Sequence, residues 1–89
     1  MYKENNMNTY TLVLKRLTSQ GKIPVFSFEV NAQDNIMALM DGQQCVCNFL
    51  GSEGYELMDA GMMIGGDTTE RNLVFIKDDE TYDFILTII

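Results

Sequence analysis

The chain has 89 residues, with thirteen acidic side chains against six basic ones, a net charge of −7 and no histidine. So acidic a surface repels a phosphate backbone, which argues against direct nucleic-acid binding. The missing histidine removes the commonest general base, the commonest metal ligand and the usual pH switch together.

Eighty-nine residues suffice for one domain with one small core. Five Phe and four Tyr are available to anchor it. No apolar run approaches the ~20 residues that cross a bilayer. The opening stretch MYKENNMNTY lacks the apolar segment of a signal peptide, so the expected location is the cytoplasm. Residues 1–8 are polar and read as a disordered tail, leaving residues 9–89 as the domain. Met7 is as good a candidate for the native start as Met1.

From Thr9 to Leu17, TYTLVLKRL alternates Tyr10, Leu12 and Leu14 on one face with Thr11, Val13 and Lys15 on the other, a strand pattern. TSQGK supplies a turn, with Gly21 free to take positive φ. The run Ile23–Val30 then sets Phe26, Phe28 and Val30 against Val25, Ser27 and Glu29, with Pro24 near its start, where a lost ladder donor is tolerated. Two alternating runs joined by a short turn read as an antiparallel hairpin.

The period then changes. Ile36, Leu39, Met40, Val46, Cys47 and Leu50 recur at helical spacing, which predicts a helix from Asp34 to Leu50, about 25 Å long. Asp34 is the expected N-cap. Gly42 falls in the helix interior, where it marks a kink or a close approach to the sheet. Cys45 and Cys47 lie about 200° apart around such a helix, so they converge neither on a metal nor on each other. Gly51, just past the apolar stripe, is the expected left-handed cap.

After GSEG a strand follows. Strict alternation puts Tyr55, Leu57, Asp59 and Gly61 on one face and Glu56, Met58, Ala60 and Met62 on the other. GGDTTERN reads as a polar hairpin loop carrying an exposed Arg71. A phosphate-binding loop would need a terminal Gly-Lys-Ser/Thr, which this loop lacks. Asn72–Lys77 is apolar on both sides, as a central strand is, and Thr81–Ile89 alternates throughout. The expected fold is α+β, β-β-α-β-β-β: an antiparallel sheet of four or five strands with one helix packed on one face. The other face then keeps Val13, Val25, Ile85 and Ile89, an apolar remainder that points to a homo-oligomer or a partner.

The segment Phe49, Leu50, Gly51, Glu53, Gly54, Tyr55, Glu56, Leu57, followed by Phe75, Ile76 and Lys77, resembles the small bacterial family catalogued as domain of unknown function 4177. That family opens with a β-hairpin, and its helix ends in a Gly-x-Glu-Gly-Trp-Glu-Leu motif. Tyr55 stands here where the family has tryptophan, and a further strand follows Lys77. The resemblance covers about half the chain. It implies a small α+β domain, oligomeric, with no known activity, and it carries over no catalytic residue.

Asp78, Asp79, Glu80 and Asp83 form an acidic stretch without the spacing or central glycine of a calcium loop. Its plainer reading is a solvated turn that discourages edge pairing. Its sharper one is an acidic lobe that fits a basic groove on a protein partner. Arg71 and Met63 are further contact candidates, Met63 because adjacent methionines in a strand face opposite ways and one must look away from the helix. No side-chain set suggests a catalytic centre, a metal or a cofactor. The expected function is therefore a non-enzymatic, acidic protein that acts by protein contact and inhibits a basic nucleic-acid-handling partner. The alternative is a small-molecule domain, with a pocket between the helix and the Gly61–Asn72 loop and contacts from Tyr55 and Arg71.

Overall fold

A computed structural model describes residues 7–63 and 65–89. The tail expected at residues 1–8 falls outside these, save for exposed Met7 and for Asn8, which begins the first strand. In chain order the elements are β1 (Asn8–Thr18), β2 (Gly21–Ala32), α1 (Asn35–Ser52), β3 (Glu56–Ala60), β4 (Glu70–Lys77) and β5 (Glu80–Ile88). They form an α+β fold: one five-stranded antiparallel sheet, ordered β2-β1-β5-β4-β3, with the helix packed on one face. Every neighbouring pair is antiparallel, so the two edge strands β2 and β3 run the same way. The helix connects one edge to the other. Eighteen residues give it a length of about 27 Å, enough to cross five strands spaced about 4.8 Å apart.

The core follows from the two periods. Leu12, Leu14, Leu73, Phe75, Phe84 and Leu86 project from the three central strands, and Leu39, Val46 and Leu50 descend from the helix. Gly42 lies in the same buried stripe. The helix runs unbroken through it, so of the two readings of Gly42 the close approach is the one observed. Met40, expected in the stripe, is exposed, because the stripe centres on Leu39, Val46 and Leu50, and Met40 sits about 100° away.

The helix ends differ in how well they were anticipated. Asp34 caps the N-terminus as expected, its Oδ1 accepting from the Met37 N–H at 2.9 Å. At the other end the left-handed residue is Gly54, at φ +95°, whereas Gly51 remains helical. The Tyr55 N–H donates to Leu50 O at 3.0 Å and the Gly54 N–H to Gly51 O at 3.1 Å, the paired bonds of a Schellman cap.

Two register shifts break the simple alternation. In β3 the pairing steps from Leu57↔Phe75 to Asp59↔Val74, leaving Met58 as an extra residue. Ala60 therefore turns to the helix side with Leu57, the reverse of strict alternation. In β2 the pairing steps from Leu14↔Phe26 to Lys15↔Pro24, so Val25 is the extra residue there.

The sheet face away from the helix is less apolar than expected. Val13 and Ile85 are only 9% and 6% exposed, shielded by their cross-strand neighbours, and Ser27, Glu29, Asn72 and Asp83 surround them. The expected remainder is thus confined to Val25, at the β2 bulge, and the last residue, Ile89.

Candidate functional site

The two turns at one end of the sheet build a cleft. The helix exits there at Ser52, and β4 turns into β5 through Asp78 and Asp79. Both aspartates hold positive φ, 53° and 66°, which makes the connection a two-residue turn of the I′ kind. That geometry matches the twist of the flanking strands, and aspartate tolerates it better than most L-residues. Between the turn and the helix exit opens a cleft of about 560 Å³ lined by Gly51, Gly54, Tyr55, Glu56, Ile76, Lys77, Asp78 and Asp79.

Aromatic packing fixes the floor of this region. Tyr55 meets Tyr82 edge-to-face at a centroid separation of 5.3 Å and Phe84 at 6.0 Å, and Phe75 and Phe84 meet at 5.5 Å. The two local cations turn onto these rings. Lys77 Nζ lies 4.8 Å from the Tyr55 centroid, and the Arg16 guanidinium 4.7 Å from that of Tyr82. Neither forms an ion pair, and among the described residues no carboxylate does. Glu56, Asp78 and Asp79 therefore reach the cleft without a fixed counter-charge. The negative end of the helix dipole faces the same space at Gly51 and Gly54. The arrangement is an open electronegative notch, suited to receive a cationic side chain.

The structure divides the expected contact residues. Asp78 and Asp79 belong to the cleft, and exposed Glu80 sits beside it, its Oε1 accepting from the Tyr82 hydroxyl at 3.1 Å. That bond, ahead of desolvation and the Glu80 charge, pushes the Tyr82 phenol above its usual value. Asp83 pairs with Val74 on the sheet face away from the helix, so it does not join them. Arg71 and Met63 lie toward the other end of the sheet. Arg71 is half-buried rather than exposed: its Nε donates to Gly61 O at 2.8 Å and its Nη1 to Gln43 Oε1, tying the loop to the helix. Met63 packs against the core, and its neighbour Met62 is the outward one, 83% exposed. Alternation could not assign this pair, because β3 ends at Ala60.

Tyr55 lines this cleft and Arg71 does not; the cleft opens between the helix exit and the β4–β5 turn, not at the Gly61–Asn72 loop, where the small-molecule reading placed its pocket. The residue that sequence reasoning passed over as a cleft contact is Lys77. The signal available for Lys77 was its place beside the β4–β5 turn, within reach of an aromatic residue on a neighbouring strand. Among the described residues no group of three metal-ligating side chains comes together. Cys45 is exposed and Cys47 half-buried, its thiol pushed up by burial, and both are free. No described helix is long and apolar enough to cross a membrane. Comparison with protein-family models, with curated proteins and with solved structures finds no match for this chain.

Proposed function

We propose that this protein acts by contact with another protein, not by catalysis, and that the cleft receives basic side chains of its partner. One observation carries the reading: Glu56, Asp78 and Asp79 converge with the helix C-terminus while the nearest cations, Lys77 and Arg16, are turned onto tyrosine rings. The cleft is open and half of its eight lining residues are charged, whereas small-molecule pockets are enclosed and mostly apolar. A protruding arginine or lysine suits it better than an enclosed ligand. A protein that handles nucleic acid presents such side chains in its binding groove, and an acidic lobe seated there would inhibit it. Two free thiols on one helix agree with a reducing compartment, and we place the protein in the cytoplasm.

The test compares the wild type with an Asp78→Asn, Asp79→Asn, Glu80→Gln variant, which keeps turn-compatible side chains and removes the charge. Both are used to capture partners from extracts of the native host. A basic protein held by the wild type, released by moderate salt and lost by the variant supports the reading. Equal capture by both proteins, or capture of no basic protein, refutes it.

A further inference from the structure

We propose that two copies of this chain pair antiparallel along the free edges of their β2 strands, joining two five-stranded sheets into one. β2 is a twelve-residue edge strand, and three exposed apolar side chains gather along it: Ile23, Val25 and Phe49, the last packed on Phe26 at 4.5 Å between centroids. A long edge with apolar flanks recruits another strand unless proline, lysine or a bulge blocks it, so the places of Pro24, Lys22 and the Val25 bulge along β2 decide whether it can pair.

The direction of the main chain identifies which groups that edge offers. The Ile89 N–H donates to Thr11 O at 2.9 Å, so the Thr11 main chain faces β5 and not β2. Main-chain groups alternate sides along an antiparallel strand. Thr11, Val13, Lys15 and Leu17 thus turn away from β2, and their opposites Glu29, Ser27, Pro24 and Lys22 turn their own groups outward. Pro24 falls where its missing N–H costs β1 nothing.

This series is complementary to itself. From Lys22 to Pro24 is two residues, from Pro24 to Ser27 three, across the bulge at Val25, and from Ser27 to Glu29 two. Read backwards, as an antiparallel copy presents it, the spacing is the same. Each bulge then faces the other and the register survives it. Lys22 stands opposite Glu29 of the second copy, and Pro24 opposite its Ser27, each twice about the two-fold axis; Pro24 O accepts from that Ser27 N–H, while Ser27 O faces a residue without an N–H and stays with water. On the helix side Ile23 stands opposite Phe28 of the second copy, a β-branched residue against an aromatic. Lys22 and Glu29 share the sheet face away from the helix, since their partners Leu17 and Thr11 do, so the opposite charges meet on one side.

Sedimentation equilibrium over a range of concentrations tests this, with exchange of backbone amides measured alongside. The wild type is expected to form a dimer in which the Ser27 and Glu29 amides, free in one copy, become protected. Lys22→Glu and Glu29→Lys are each expected to raise the dimer dissociation constant about tenfold, by facing like charges twice. The doubly substituted K22E/E29K chain restores the pairs and should recover the wild-type constant. Circular dichroism establishes that each variant is folded, and the double variant decides the question if a single one is not. A monomer at all concentrations, a dimer that ignores both single substitutions, or no recovery in the double variant overturns the proposal. The dimer uses neither Asp78 nor Asp79, so neutralising them leaves it intact whether or not the cleft binds a partner.

Discussion

Gly42 and Leu12 meet without room for a side chain: a β-carbon on Gly42 would stand 2.7 Å from Leu12 Cδ2 and 3.2 Å from Leu86 Cδ2. The helix lies flush on the central strands because this residue has no side chain. Replacing it by alanine gains about 1 kcal/mol of helix propensity but overpacks a core in which Leu12 and Leu86 are wholly buried, at a cost of about 1–3 kcal/mol. Gly42→Ala is expected to lower stability by about 1 kcal/mol in urea unfolding. Gly51→Ala, in the same helix with nothing within 4 Å of the added carbon, is expected to raise it by about 0.5 kcal/mol. The opposite signs separate packing from propensity.

Gly54, two residues past the helix end, is the glycine that turns left-handed. At φ +95° it closes the Schellman cap, and a β-carbon there is strained whatever space it finds. Gly54→Ala is expected to cost about 1–2 kcal/mol, and Gly54→Asn less, because asparagine tolerates the left-handed region. Thermal melts of the two variants would show that order. Equal melting temperatures would mean the cap does not constrain the exit into β3.

Much of the fold was legible in the residues. The hairpin, the helix start at Asp34 and the strand sequence all follow from clean periods and turn chemistry. The bulges at Val25 and Met58 were not, because an inserted residue leaves the alternating pattern intact on both sides and only the partner strand reveals the slip. Gly51 and Gly54 are chemically identical, so composition could not say which one turns left-handed. The cleft was hidden for a different reason. It joins Gly51–Glu56 with Ile76–Asp79, segments that meet only through the β3–β4 pairing. The acidity of Asp78 and Asp79 was visible, but not that Lys77 is drawn onto Tyr55 beside them.

The Asp78–Asp79 turn places stability against binding. A glycine at Asp79, where φ is 66°, relieves a left-handed L-residue and also one of two adjacent like charges. Asp79→Gly is expected to stabilise the protein by about 1 kcal/mol in urea unfolding. The same variant should bind a basic partner more weakly, since it removes a carboxylate from the cleft. A variant that is both more stable and equally able to bind would show that the second aspartate is not a contact.

Arg71 and Gln43 offer a double-mutant cycle. Arg71 spans Gly61 O and the Gln43 amide oxygen from a half-buried position. Arg71→Ala is expected to cost about 2 kcal/mol, the range for a hydrogen-bonded charge with a packed stem. Gln43→Ala should cost less, and in the Arg71→Ala background almost nothing, because its partner is already gone. Additive losses would mean that the bond between them is not formed in solution.

Tyr82 supplies a prediction at alkaline pH. Its hydroxyl donates to Glu80, and that bond holds only while the phenol keeps its proton, so the folded value lies above the ordinary 10.0. A group whose folded value is raised stabilises the fold fully below the unfolded value and loses that contribution as pH climbs through the folded one. The stabilising effect of Tyr82 is therefore present at neutral pH and fades above about pH 10. Tyrosine ionisation followed by ultraviolet absorbance should show one phenol titrating later than its unbonded state would. Glu80→Gln removes the carboxylate that accepts the proton's bond and the charge that opposes ionisation, and should bring that phenol down. If the late step persists unchanged in the variant, the cause lies in burial beside Tyr55 and not in Glu80.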